Sequence, residues 1–434
     1  MSIHLAKLSA LPGWPQQLSD RRQRRRLAAV LLLAAVLRFL PAVLYFNYFD
    51  LGPYNIPWSI YGAQDRFGLY SNPAMAEFGL DYPPIFPFLL SLVGSPVLWA
   101  HESGCWPVEM FCIKLFPVLA DLALTALVWL VAADHRFADP WQPALLWALN
   151  PSMILNSGFW GQADSFLLFF LLAMFWALER GKPVAASLIF ALGCLTKLQM
   201  CYFAPVLLLG FLLLRLRPAR WIGALAAGGA VGFLGWYPFM RRGEWLALPL
   251  RIYLGGYGKY SFVNAKAANL YAFGNHYQQP DSEIWFCGIS FSAISNLAIA
   301  AALFWLVWCG IRAVRRRSLP PLCLIALVYL EVLFLFTTRQ HERYQLPALV
   351  LSLLWWMICR EKKALRFFLF FTLITLINQS YVIFADNHPA TAGFFSMLEA
   401  PTAAVNLLAF PVLCVAVAHS FRQPPSSPSQ KGAV

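Results

Sequence analysis

The chain has 434 residues, of which 60% are hydrophobic and only 12% charged, whereas a soluble globular domain carries about 25% charged residues. That deficit leaves no room for a water-soluble nucleotide-binding domain. The net charge of +13 sits in short clusters beside apolar runs, which points to membrane orientation and away from nucleic acid. Apolar runs recur from Leu27 to Val417. A bilayer crossing needs about 20 apolar residues and a backbone that satisfies itself, so the expectation is an all-α polytopic membrane protein.

Residues 1–26 end in Arg21, Arg22, Arg24, Arg25 and Arg26 and read as a cytoplasmic basic segment. The run 27–44 lacks a small-residue cleavage site and reads as an anchor. Spans are predicted at 27–45, 112–132, 141–157, 163–178, 183–198, 200–215 and 221–238. A second group follows at 287–310, 319–336, 345–359, 365–384 and 402–420, making about 12 with both ends inside. Basic clusters at 215–220, 312–317 and 360–366 mark inner loops. The outer regions are then 46–111, 239–286 and the junction 337–344. Within the first, 84–99 is apolar enough to resemble a span. A full crossing there would put every later basic loop outside, so it is expected to lie at the interface or re-enter. The tail, 421–434, is rich in Pro and Ser and reads as disordered. Nine scattered cysteines show no zinc spacing; a disulfide among Cys105, Cys112 and Cys287 is open but unsupported.

The residues suited to chemistry gather on the outer face. Asp50 follows the first span in an aromatic stretch; it either solvates a helix end or serves as a partly desolvated general base. Asp65 is the second acid of interest in that loop. Asp81–Tyr82–Pro83–Pro84 places an acid where it can cap the next helix and, with Asp65 and Asp164, orient substrate or a neighbouring basic group. Asn156, Trp160, Gln162 and Asp164 crowd a polar turn between two apolar runs, either as a packed hairpin or as a pocket wall. Lys197 and Gln199 end an apolar run; the lysine snorkels or meets a phosphate or acid. The second outer loop holds Arg251, Tyr257, Lys259, Asn264 and Asn269. In 337–344, Arg339, His341, Glu342 and Arg343 run against the positive-inside bias. At i,i+4 on one helical face, the two arginines would suit a phosphate. No Walker, Rossmann, serine-hydrolase or zinc-protease motif is present, and no residue pattern calls for a metal.

These stretches, in this order over about 50–347, resemble a GT-C glycosyltransferase, the polytopic class that uses polyprenyl-phosphate sugars. They are most similar to bacterial relatives of the second mannosyltransferase of GPI-anchor assembly. Asp50, Asp81–Pro84 and His341–Glu342, with Arg343 where lysine is usual, are also similar to the glucosyltransferases that extend the dolichol-linked oligosaccharide. The resemblance implies a GT-C fold: a seven-span module at 27–238, a long first outer loop with juxtamembrane helices, and a variable C-terminal membrane module at 287–420. It implies Asp50 as the catalytic base, with Asp65 as the alternative. It implies an inverting transfer, of mannose or another hexose, to a lipid-linked glycan, glycolipid or protein acceptor. Arg339, His341 and Arg343 would hold the donor phosphate, helped by Lys259 or Arg251. A divalent cation on that phosphate is compatible with the sequence. The expected setting is a bacterial inner membrane with the site facing the periplasm. The rival reading is a transporter or flippase of a lipid-linked saccharide, which predicts charged or broken helices at mid-membrane.

Overall fold

The computed structural model describes residues 14–48, 50–241, 244–274, 276–315, 317, 319–385 and 389–422. The helices that build the body and its outer loop are α1 (Arg21–Leu44), α2 (Ile56–Gln64), α3 (Ile85–Leu92), α4 (Gly94–Glu102), α5 (Trp106–Asp134), α6 (Trp141–Ala148), α7 (Asp164–Glu179) and α8 (Pro183–Cys194). They continue as α9 (Ala204–Leu213), α10 (Pro218–Trp236), α11 (Ala247–Lys259), α12 (Phe291–Val314), α13 (Leu322–Phe336), α14 (Pro347–Cys359), α15 (Lys362–Ser380) and α16 (Pro389–Arg422). Four short strands complete the outer loops: β1 (Asn264–Ala265), β2 (Ile284–Phe286), β3 (Ile289–Ser290) and β4 (Gln340–His341). Among the described residues, six helices are long and apolar enough to cross a bilayer: Arg21–Leu44, Trp106–Asp134, Pro218–Phe239, Phe291–Val314, Lys362–Phe384 and Ala390–Phe421. The chain is a membrane-embedded helical protein.

The runs predicted from sequence all fall on helix, with moved ends. α1 begins at Arg21, so the basic block forms its first turns, and Asp20 caps it by accepting the Arg22 N–H at 2.8 Å. The predicted span 141–157 is interrupted: α6 stops before Asn150–Pro151, and the chain resumes as a π turn, Ile154–Trp160. The run 402–420 becomes α16, which starts at Pro389 and carries Pro401 and Pro411 within it. Helix thus reaches Arg422, two residues into the segment expected to be disordered, and 423–434 lie outside the described residues, as do 1–13. All nine cysteines are free, which removes a disulfide among Cys105, Cys112 and Cys287.

Loops assigned to one face by charge do meet one another. At the basic end Arg26 pairs with Asp139 at 2.7 Å, Arg180 with Asp134 at 2.5 Å, and the Arg360 Nη2 donates to the His135 carbonyl at 2.8 Å. At the opposite end Lys114 Nζ donates to the Tyr45 carbonyl at 2.7 Å and the Ile85 N–H to the Leu195 carbonyl at 3.0 Å. These contacts bear on the segment 84–99. α1 leaves the basic end and α5 returns to it, while the Phe46 and Trp106 rings lie 6.0 Å apart. The loop between them therefore leaves and re-enters the same end. α3 and α4, of 8 and 9 residues, meet at a 57° bend; each reaches only about 12–14 Å, under half of a hydrocarbon core. Neither crosses alone. α4 instead packs on α2, so closely that a Cβ on Gly94 would sit 2.0 Å from the Ser59 carbonyl oxygen.

One apolar core runs from Leu124 to Val417 through both halves of the chain, and a second joins Leu51, Trp58 and Leu90 of the outer loop to Ile113 of α5, Trp236 and Leu248. Between α1 and α5 lies a fully buried ion pair that sequence reading passed over. Arg38 Nε donates to Asp121 Oδ2 at 2.5 Å, and Arg38 Nη1 to the Ala148 carbonyl at 2.9 Å. Trp147 and Ser157 donate to the two Asp121 oxygens at 2.9 and 2.8 Å.

Candidate active site

The π turn Ile154–Trp160 organises the end of the helices opposite the basic one. Its wider winding fans out successive side chains, and three of them reach three different carboxylates. Ser157 turns inward to Asp121, Asn156 Nδ2 donates to Asp164 Oδ2 at 3.2 Å, and Trp160 Nε1 donates to Asp50 Oδ2 at 2.9 Å. The turn ends on Gly161 at φ +83°, with Lys114 so close that a Cβ would lie 2.7 Å from its Cγ. Glycine there meets both demands. The chain then delivers Gln162, whose Nε2 donates to the same Asp50 oxygen at 2.5 Å.

Asp50 is thus fixed by two donors in a half-buried site. Burial pushes its carboxyl above the usual range, opposed by the charge of Arg343 and by the bonds from Trp160 and Gln162. The Arg343 guanidinium lies over the Trp160 ring, 5.1 Å from its centroid, and its Nη1 donates to Glu342 Oε1 at 2.5 Å. Its Nε is 3.7 Å from Asp164 Oδ2, too far for a hydrogen bond, and is buried without a partner. Lys197, on the turn after α8, is an ion pair with the other oxygen of Asp164. Asp164 in turn rests on a chain from α15: Gln379 accepts from Asn156 Nδ2 at 2.8 Å and donates to Ser152 Oγ at 2.8 Å. The cluster holds three carboxylates, Asp50, Asp164 and Glu342, and two cations, Lys197 and Arg343; Asp164, Glu342 and Lys197 are buried, while Asp50 and Arg343 are half-buried. Behind it is a small cavity with room for about one water, lined by Asp164, Gln199, Tyr202, Gln340 and Tyr344.

At the rim, Lys259 Nζ donates to Asp81 Oδ2 at 2.9 Å and to the Gly79 carbonyl at 3.2 Å, with the Tyr54 and Tyr260 rings at 5.3 and 5.4 Å. Tyr82 lies between rim and centre; burial raises its phenol. Asp81 therefore ties the two outer loops together. It does not cap α3, whose N-cap is Pro84.

Several expectations from sequence are corrected. Residues 339–343 are not helical. Gln340–His341 form β4, parallel to β1, and Arg339 takes φ +63°. The two arginines consequently part. Arg339 Nε and Nη2 bond Asp281 at 2.7 and 3.3 Å, and Arg343 alone joins Asp50. His341 sits between the Tyr260 and Tyr344 rings, each 4.9 Å away, with Nε2 buried and unpartnered. Burial, then the charge of Arg343, pushes its pKa well below the usual value, so it is neutral at pH 7 and supplies no positive charge. Asn264 spends its amide on the Ala267 N–H and carbonyl at 2.8 and 3.1 Å, and Asn269 caps Tyr271 N at 3.0 Å while donating to the Phe334 carbonyl at 3.2 Å. Both clip their loops together through these amides. Asp65 is exposed and holds the Gly68 N–H at 2.9 Å, and Arg251 is exposed on α11, outside the buried cluster. Gln379 went unnoticed, although an amide in the apolar run 365–384 was a visible signal. Asp281 had none, since its partner is set by loop packing. Among the described residues no three of His, Cys, Asp or Glu come together as a metal site.

The family model for glycosyltransferase family 87 matches residues 80–338, more than half of the chain. The chain belongs to glycosyltransferase family 87. This family 87 protein is accordingly a glycosyltransferase of the GT-C type, embedded in a membrane. The match covers Asp81, Tyr82, Trp160, Gln162, Asp164, Lys197 and Lys259, and leaves Asp50 on one side and His341–Arg343 on the other. No curated protein matches the chain.

Proposed function

We propose that this family 87 enzyme is an inverting transferase that takes a hexose from a polyprenyl-phosphate carrier. The observation that carries the reading is the sharing of Trp160: its indole N–H holds Asp50, and its ring face holds the guanidinium of Arg343. A base and a phosphate-binding cation stand on two sides of one rigid ring, although 293 positions separate them in the chain (343 minus 50). Asp50 takes the proton of an acceptor hydroxyl as that oxygen attacks C1 of the sugar. The C1–O bond to phosphate breaks with its electron pair, and prenyl phosphate leaves as an anion opposite the attack. Such a leaving group needs positive charge more than a proton, and Arg343 supplies it, with Lys197 behind. Arg339 is given up as a phosphate ligand because Asp281 holds it, and His341 acts as a neutral wall or donor. Lys259 and Asp81 form the rim over which substrate passes.

In this reading the predicted runs build a GT-C body of twelve spans, and the site draws on both the 27–238 module and the C-terminal 287–420 module. The site would face the periplasm of a bacterial inner membrane, with a lipid-linked glycan, glycolipid or protein as acceptor. The transporter reading draws no support from a match to a glycosyltransferase family. The test is mass analysis of products from purified protein offered mannosyl-, glucosyl- and arabinosyl-phosphoprenol. A hexose gain on the acceptor that disappears in Asp50→Asn is the expected result. Undiminished transfer in that variant would remove Asp50 from its role.

A further inference from the structure

The second outer loop carries an apolar face that the proposed chemistry does not use. β2 and β3 form a two-stranded hairpin, with Ile284 opposite Ser290 and Phe286 opposite Ile289. Its turn residues, Cys287 and Gly288, take φ +48° and +78°, the two-residue geometry that follows the twist of the strands. Alternation along β2 sends Trp285 toward the protein, where its ring stacks on Phe291 at 5.2 Å and meets Tyr271 at 5.5 Å. Ile284 and Phe286 go the other way, each 69% exposed, and Ile289 joins them at 44%. A lone two-stranded ribbon is marginal in water, and adjacent bare apolar side chains make it worse.

The next element says what covers this face. Ser290 ends β3 and caps α12, its Oγ accepting the Ala293 N–H at 3.2 Å. α12 has 24 apolar-rich residues, about 36 Å of helix, enough to cross a hydrocarbon core of about 30 Å. Its first turn therefore lies at the membrane boundary, and the hairpin directly before it lies at the same level. The geometry points to a membrane anchor: Ile284, Phe286 and Ile289 seat in the headgroup–acyl boundary of the bilayer at the active-site end. The anchor is rigidly joined to the site. Asp281, at its root, donates its N–H to the Ser261 carbonyl at 3.1 Å, accepts the Ser292 N–H at 2.8 Å and holds Arg339. The depth of the hairpin in lipid thus sets the height of the strand and turn that carry His341 and Arg343. This inference does not depend on the reaction proposed above.

Cys287 is exposed at the tip and serves as the labelling point. The full-length protein, labelled there with an environment-sensitive fluorophore, is placed in phosphatidylethanolamine–phosphatidylglycerol vesicles that contain a lipid bearing a nitroxide near the headgroup. Cys287→Ser protein, treated identically, gives the background from the other cysteines. Quenching by the lipid nitroxide several-fold greater than by aqueous iodide is expected, with the order reversed in Phe286→Glu/Ile289→Glu. Iodide quenching without a nitroxide effect in the otherwise native protein would overturn the anchor. So would energy transfer between labels on separate molecules with no lipid quenching, since a second copy would then cover the face.

Discussion

Two charge clusters lie next to each other and behave oppositely. Arg38–Asp121 is closed: one cation meets one anion, and Trp147, Ser157 and the Ala148 carbonyl take up the remaining valence. The cluster around Asp50 and Arg343 is open. Its three carboxylates outnumber its two cations, and Arg343 Nε, His341 Nε2 and Asn156 Oδ1 are buried without partners. Both are held by the same π turn, so the backbone is no looser at one than at the other. A structural ion pair consumes its own donors and acceptors; a site that must receive a ligand leaves some unspent.

That contrast can be broken by substitution. The largest expected effect is on turnover: Asp50→Asn should slow sugar transfer by about 10²–10⁴-fold, the range for loss of a general base, with an unfolding midpoint in detergent that does not fall. A large drop in the midpoint would make Asp50 structural instead. At the closed pair the signs exchange. Arg38→Met leaves Asp121 buried without its cation and should cost about 3–5 kcal/mol of stability. Arg38→Met/Asp121→Leu should regain most of it, and the folded fraction should transfer sugar at close to the native rate. Denaturant titration beside an activity assay reads both. Arg343→Lys keeps the charge but loses the planar fork; about a tenfold rise in donor KM with little change for acceptor is expected from steady-state kinetics.

The pH profile sharpens the comparison further. Burial raises the Asp50 carboxyl, so the base is lost as pH falls through a value above that of an ordinary aspartate, and Asp50→Asn should abolish that acid limb. Glu342 is raised by burial as well. Both bind protons more tightly folded than unfolded, so stability should fall, not rise, as pH climbs from the ordinary carboxylate range through their raised values. The smallest effect belongs to Asp65→Ala, an exposed turn residue: a change within about 0.5 kcal/mol and less than about twofold in rate.

Helical runs and the sorting of loops onto two faces were legible in the sequence because both are local properties, apolar length and net positive charge. Asp50, Trp160, Gln162, Asp164 and Lys197 were legible as polar groups stranded at the ends of apolar runs, though not as partners. Only tertiary structure decided which arginine joins Asp50. Arg339 and Arg343 have the same chemistry four positions apart, and a helix would have put them side by side. The pairing of β4 with β1 and the left-handed turn at Arg339 send one to Asp281 and the other to Trp160. That register depends on contacts with residues 262–281, and nothing within 337–344 encodes it.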